Sequence, residues 1–180
     1  MKRHYHPVQK DAATFLRTAR ETGGELTEAL LEVEPGGGNG LHVHRRFDEH
    51  FTGVAGTTHV EVGGQAHVLR PGDSAVAPKG TPHRWWNAGE GAAHVRVELR
   101  PGDTRFEEFI QIYYGLAADG KSDARGAPRN IIHTGYALVH GDIHLAGAQR
   151  ALMPILYACY WIARVSGEGE RLRRRYCENS

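Results

Sequence analysis

The first hundred residues alternate apolar and polar side chains in short runs cut by turn residues. That period leaves little choice but a sheet-based fold. In AHVRVEL, Val95, Val97 and Leu99 alternate with His94, Arg96 and Glu98, as in a strand with one buried face. Ala29, Leu31 and Val33 alternate with polar or acidic neighbours in another candidate strand. In TTHVEVGGQAHVL, Gly63-Gly64 separates two β-rich runs and predicts a hairpin with a two-residue turn. RPGD occurs at 70–73 and again at 100–103 and marks turns, with Pro presetting φ and Asp able to bond nearby backbone. Many short strands with frequent turns predict a closed barrel or a sandwich.

From about residue 103 the period becomes helical. Thr104 and Glu107 have capping-box spacing, and Phe106, Phe109, Ile110 and Tyr113 fall on one helical face. DGKSDARGAPR at 119–129 reads as a mobile connector. Further helices are expected over about 130–140 and 153–165, the latter with Pro154 in its first turn. That last segment is apolar nearly all round and is expected to be buried against the barrel or a partner subunit. The basic tail RLRRRYC reads as a solvated terminus. The division is therefore residues 1–102 as a β-barrel and 103–180 as a helical C-terminal extension packed on it or on a partner.

Composition narrows function. With 22 Lys+Arg against 21 Asp+Glu the chain carries a formal charge of +1, so no basic field argues for nucleic acid. Cys159 and Cys177 show no paired-ligand spacing and read as free thiols. MKRHYHPVQKD lacks the apolar region of a secretory signal, and ALMPILYACYWIA is too short to span a bilayer. The expectation is a cytoplasmic protein with no membrane span. The 12 histidines, in contrast, invite a metal or acid–base site.

GLHVHRRFDEHF at 40–51 supplies one. Residues two apart on a strand project to the same face, so His42 and His44 point together, and Glu49 follows within reach of a bend. His83, after the Pro78-Lys79-Gly80 turn, is placed to face them from another strand. Three histidines and a carboxylate form a mixed N/O set that suits a divalent transition metal, Fe(II), Mn, Ni, Co or Zn. On an octahedral ion such a set leaves two positions open to water, substrate or dioxygen. Trp85 and Asn87 should share the face of His83, on the wall of a substrate pocket or, for Trp85 equally, in the core, with Asn87 hydrogen-bonding rather than catalytic. Trp86 should face the other way. His50, His59, His67 and His94 read as strand-surface residues, and His133, His140 and His144 have no ligand spacing.

The spacing Gly36-x5-His42-x-His44-x4-Glu49-x6-Gly56 resembles the first motif of the cupin superfamily, and Gly72-x5-Pro78-x-Gly80-x2-His83-x3-Asn87 is similar to the second. The resemblance covers residues 36–87 and is of the compact single-domain bacterial kind. It implies a mainly β fold, an antiparallel double-stranded β-helix or jelly-roll barrel, here with C-terminal α-helices outside the motifs. It implies a metal held by His42, His44, Glu49 and His83. The activities it implies include dioxygenases, isomerases, cyclases, lyases and decarboxylases acting on small organic molecules. A dioxygenase-like oxidoreductase is the first expectation, and in whichever reaction Glu49 is a candidate general base if it leaves the metal. A non-redox isomerase, cyclase or lyase is the alternative, as is a non-catalytic ligand-binding barrel. Cupin barrels commonly pair through edge strands, and the apolar helix needs cover, so a homodimer is expected. The helices could close one mouth of the barrel, which would make Phe109, Tyr113 or Trp161 pocket residues.

Overall fold

A computed structural model describes residues 2–177. Ten strands lead into four helices, with an eleventh strand between the second and third helices, and all strands pair antiparallel. The strands are β1 (Arg3–His6), β2 (Asp11–Arg17), β3 (Thr27–Val33), β4 (His42–Val43), β5 (Asp48–Ala55), β6 (Thr58–Val62), β7 (Gln65–Leu69), β8 (Ser74–Ala77), β9 (His83–Trp86), β10 (Ala93–Arg100) and β11 (His144–Leu145). They form two sheets, one ordered β1-β2-β3-β10-β5-β8 and one β11-β4-β9-β6-β7. Val33, Phe51, Val60 and Val95 are fully buried between them. The result is the expected jelly-roll barrel.

The local expectations for the strands hold where the signal is local. β6 and β7 pair with Val62 opposite Gln65, and Gly63 and Gly64 have φ of 58° and 85°. Two consecutive positive φ angles are what a type I′ hairpin demands and what only glycine adopts freely. In the first RPGD turn, the Asp73 carboxylate accepts from the Arg70 backbone N–H over 3.0 Å. β10 is buried at Val95, Val97 and Leu99, the alternation read from the sequence.

The helices are α1 (Thr104–Ala118), α2 (Ile131–His140), α3 (Met153–Val165) and α4 (Glu168–Tyr176), with a 3-10 turn over Gly147–Leu152 before α3. None of the described helices is long and apolar enough to cross a membrane. Four expectations are corrected. α1 is capped by Asp103, whose carboxylate accepts from Phe106 N–H at 2.9 Å, one residue before the expected Thr104. Glu107 turns instead to Ala19 N–H and Thr27 Oγ1, each at 2.6 Å, pinning the first turn of α1 to the barrel. The connector 119–129 is a hydrogen-bonded loop, with Asp123 N–H donating to Ala127 O and Arg129 N–H to Lys121 O. The basic tail is ordered as α4, with Arg171, Arg174 and Arg175 exposed and one face docked on α1. Leu172 is buried, and Arg173 makes a two-pronged contact with Glu108 at 3.1 and 2.7 Å.

In the single chain α3 buries one face. Leu156, Cys159 and Ala163 face inward, while Trp161 is 57% and Val165 83% exposed. α2 and α3 lie together over the barrel as a roof, close enough that Gly135 on α2 meets the Leu156 carbonyl.

Candidate metal centre

β4 and β9 are neighbours in one sheet with His42 opposite His83, and β5 of the other sheet brings Glu49 across the barrel. His42, His44, Glu49 and His83 are all buried, and one ligand atom from each lies within 4.8 Å of the others. The sequence-predicted set is thus brought together in full. His42 Nε2 is 3.1 Å from His44 Nε2, and Glu49 Oε2 lies 3.2 Å from His44 Nε2 and 2.9 Å from His83 Nε2.

The opposite nitrogen of each ring is already committed. His42 Nδ1 faces Gly40 O at 2.8 Å, His44 Nδ1 faces Asp142 O at 3.0 Å, and His83 Nδ1 faces Thr81 O at 2.9 Å. A carbonyl only accepts, so each Nδ1 carries the proton, and each neutral ring presents a bare lone pair at Nε2. Three imidazole lone pairs and a carboxylate then converge on one point with no proton among them. Four acceptors without a donor are repulsive unless a cation sits between them, and this donor set fits a divalent transition metal.

In the metal-free protein the rings can relieve that repulsion only by taking up protons. Burial holds the His42 imidazole well below its ordinary value, with His83 and His44 adding to the effect. Burial also lowers His83, but its contact with Glu49 outweighs this and raises it. Burial would raise Glu49, yet hydrogen bonds to His44 and His83 hold the carboxyl far below the usual carboxylate range. Glu49 is therefore an anion in a closed, apolar setting, ready for a positive partner.

Asp142, which sequence reasoning missed, braces the centre from the C-terminal segment. Its carbonyl receives His44 Nδ1, and its Oδ2 accepts the backbone N–H groups of Arg45 and Arg46 at 2.6 and 2.7 Å. Its Oδ1 meets His144 Nε2 at 2.8 Å. Asp142 has φ of 63°, a left-handed conformation that aspartate tolerates better than most residues. The Gly141-Asp142 pair after a helix was the only local signal, and nothing in it pointed to a strand almost a hundred residues earlier.

A cavity of about 880 Å³ opens in front of the cluster, and His42, His44 and Glu49 form part of its wall. Trp85 lies on that wall. Asn87 does not: its amide donates to Val33 O and Gly91 O, and its Oδ1 accepts Gly89 N–H. β9 ends at Trp86, so strand alternation no longer governs Asn87, and the side chain closes the turn instead. Trp86 stacks on His59, away from the cavity. The helices do cover the barrel mouth, with Phe109 and Tyr113 lining the cavity and Trp161 outside it. The remaining C-terminal histidines hold helices: His133 pairs with Glu168 and His140 with Glu108.

Comparison with known proteins agrees with this architecture. Residues 29–100 match the family model described as "Cupin domain". No curated protein matches the chain significantly. Similar solved structures include KdgF from Halomonas sp., at 24% identity and TM-score 0.48 over 52% of this chain and 81% of that one. TT1209 from Thermus thermophilus matches at 29% identity and TM-score 0.48, covering 54% and 88%. The formate complex of Lactobacillus farciminis oxalate decarboxylase matches at 20% identity and TM-score 0.51, covering 57% and 32%, and shows the same fold. In motif, sheet order and the convergence of its histidines, the barrel over residues 29–100 is a cupin domain.

Proposed function

We propose that the chain is a metal-dependent enzyme acting on a small organic molecule held in the cavity, an oxidoreductase of the dioxygenase type. One observation carries this reading: the Nε2 atoms of three buried imidazoles and a buried carboxylate converge on one point at the wall of a large cavity. His42, His44, Glu49 and His83 would hold Fe(II), Mn, Ni, Co or Zn. Such an ion, when bound, supplies an electron-pair acceptor and, for a redox-active metal, a means of activating oxygen.

The chain's own residues do the rest. His42, His44 and Glu49 reach the cavity while His83 stands behind them, so the cluster addresses a bound molecule from one side. Phe106, Phe109 and Ile110 of α1 exclude water from that face. The Tyr113 and Tyr114 phenols are pushed up by burial, with nearby carboxylates adding to the shift, and stay protonated. Apart from the cluster, the buried lining among the described residues holds no carboxylate or imidazole. An isomerase or lyase that shuttles protons needs a base beside its substrate. Glu49 is the only candidate for one here, and it is tied to His44 and His83. This wall therefore favours oxidative chemistry over the non-redox alternative.

The test is elemental analysis of untagged protein purified without chelators, followed by oxygen uptake after Fe(II) loading, with a catechol and an enolisable 1,3-dicarbonyl as probes. Near-stoichiometric metal that disappears in His42→Ala, together with oxygen uptake, supports the proposal. Failure to retain any metal after reconstitution overturns it. Retained metal with no oxygen uptake overturns the oxidoreductase part and leaves the non-redox reading.

A further inference from the structure

The cavity is larger and more apolar than a short diacid or a sugar acid needs. Its 880 Å³ is near the top of the range that encloses a whole drug-sized molecule. The barrel contributes Ala13, Leu31 and Val97 to one side, and the helices contribute Ile110, Leu138 and Leu156 to the other. Walls of this kind favour carbon surface by roughly 25 cal/mol per Å² buried. They return nothing to a hydroxyl or carboxylate that has lost its water.

The exposed residues of the lining mark where the cavity opens. Ile131, Leu152 and Ile155, each about half exposed, make an apolar lip. Arg125 and Arg129 stand in the same rim, and neither guanidinium has a partner among the described residues. Asp123, the rim's carboxylate, is engaged elsewhere: its Oδ1 accepts the backbone N–H groups of Arg125 and Ala127 at 2.8 and 3.0 Å. The loop's own ladder holds the two arginines at the opening. Deeper in, Tyr113 is 7% exposed, and its hydroxyl has no hydrogen-bond partner among the described residues.

We infer that the cavity takes an amphipathic carboxylate, with an extended apolar body between barrel and helices and its charged group on Arg125 and Arg129 at the mouth. An oxygen function at the other end would face His42, His44 and Glu49; that part alone rests on the metal-centre reading. Arginine suits the mouth because its planar fork receives a carboxylate on two N–H groups at once. The unpaired Tyr113 hydroxyl offers a polar group on the body one hydrogen bond.

The experiment is calorimetric titration of the full-length protein, metal-loaded and metal-stripped, with decanoate, decanol and oxalate. Decanoate should bind both forms within a few-fold and raise the melting temperature. Decanol should bind about tenfold more weakly, the usual worth of a charge-assisted contact. Oxalate should not bind the metal-stripped form. Arg125→Ala/Arg129→Ala should weaken decanoate about tenfold and leave decanol unchanged. Ile155→Trp, at an exposed position that need not disturb folding, should narrow the lip and weaken both long probes. Equal affinity for decanoate and decanol overturns the role of the arginines, and no binding of either overturns the inference even if the metal is retained. Decanoate binding by a protein that retains no metal sinks the metal reading and leaves this one standing.

Discussion

His44 donates its Nδ1 proton to the backbone carbonyl of Asp142 over 3.0 Å, so a residue of the helical segment orients a side chain on the barrel floor. The same aspartate holds the Arg45 and Arg46 amides with Oδ2. Hydrogen bonds to a charged acceptor each contribute about 1.5–3 kcal/mol, and partners behind a metal ligand typically govern affinity by 10- to 100-fold. Asp142→Gly keeps the carbonyl and tolerates the positive φ but removes the carboxylate. It should destabilise the fold by roughly 2–4 kcal/mol and weaken metal retention at least about tenfold. Asp142→Asn, which keeps an acceptor oxygen, should lie between the glycine variant and the native protein. Denaturant melts and competitive metal titration read both effects; unchanged metal affinity in Asp142→Gly would show that the carbonyl holds His44 without help from the carboxylate.

The metal itself should appear as stability. A ligand that binds only the folded state adds about 2.7 kcal/mol at a hundred times its dissociation constant. At roughly 2–4 °C per kcal/mol for a chain of this size, chelation of the loaded protein should lower Tm by roughly 5–10 °C. In His42→Ala or His83→Ala the chelator should do nothing, because the ligand set is no longer complete and no ion is held for it to remove. A chelator effect of equal size in both variants would place the stabilising ion elsewhere.

What was legible in the sequence was local. The I′ turn at Gly63-Gly64 needs only two residues, and His42, His44, Glu49 and His83 are read from strand alternation and two short spacings. What was not legible depends on distant partners. Asp142 acts 98 residues from His44, and only the pairing of β11 with β4 brings them together. The tail looked solvated because its arginines outnumber its apolar residues, yet Arg173 and Arg175 are answered by Glu108 and Asp119 of α1 and its cap. α3 is apolar on every side, and in the single chain only one of its faces is covered, because composition does not say which neighbour, barrel or partner subunit, meets the other. Asn87 fell outside the cavity because its strand stops one residue earlier.

Asp11 offers a test by pH. Burial pushes its carboxyl up to about 7, only partly countered by the Tyr114 hydroxyl that donates to Oδ2, and the charge of Glu34 adds to the rise. Oδ1 has no partner among the described residues. A carboxyl with a folded pKa above its unfolded one binds more protons when folded. It therefore favours the folded state fully below about pH 4, and that advantage is lost as pH rises to about 7. Stability should fall across this window and level off above it. Asp11→Asn, which mimics the protonated form, should flatten the profile and stabilise the protein at pH 8 by roughly 1–3 kcal/mol. Parallel melts from pH 4 to pH 8 measure it, and identical slopes for the two proteins would remove Asp11 from the account.

Gly135 is where the roof of the cavity is fastened. A Cβ placed there would lie 2.7 Å from the Leu156 carbonyl oxygen and 2.5 Å from Cys159 Cβ, so α2 and α3 touch through backbone at this point. Alanine would raise the helix propensity of α2 by about 1 kcal/mol. The obstacle is main chain, however, and cannot swing away, so the helices must separate. Overpacking of this kind costs about 1–3 kcal/mol, and the net effect of Gly135→Ala should be destabilising. The same two helices carry Leu138 and Leu156 of the cavity wall, so the parted roof should also bind decanoate several-fold more weakly. Gly91→Ala, where an added Cβ meets nothing within 4 Å, is the control and should change neither quantity. If Gly135→Ala melted at or above the native temperature, the contact between the helices would be looser than described, and the roof over the cavity would no longer follow from it.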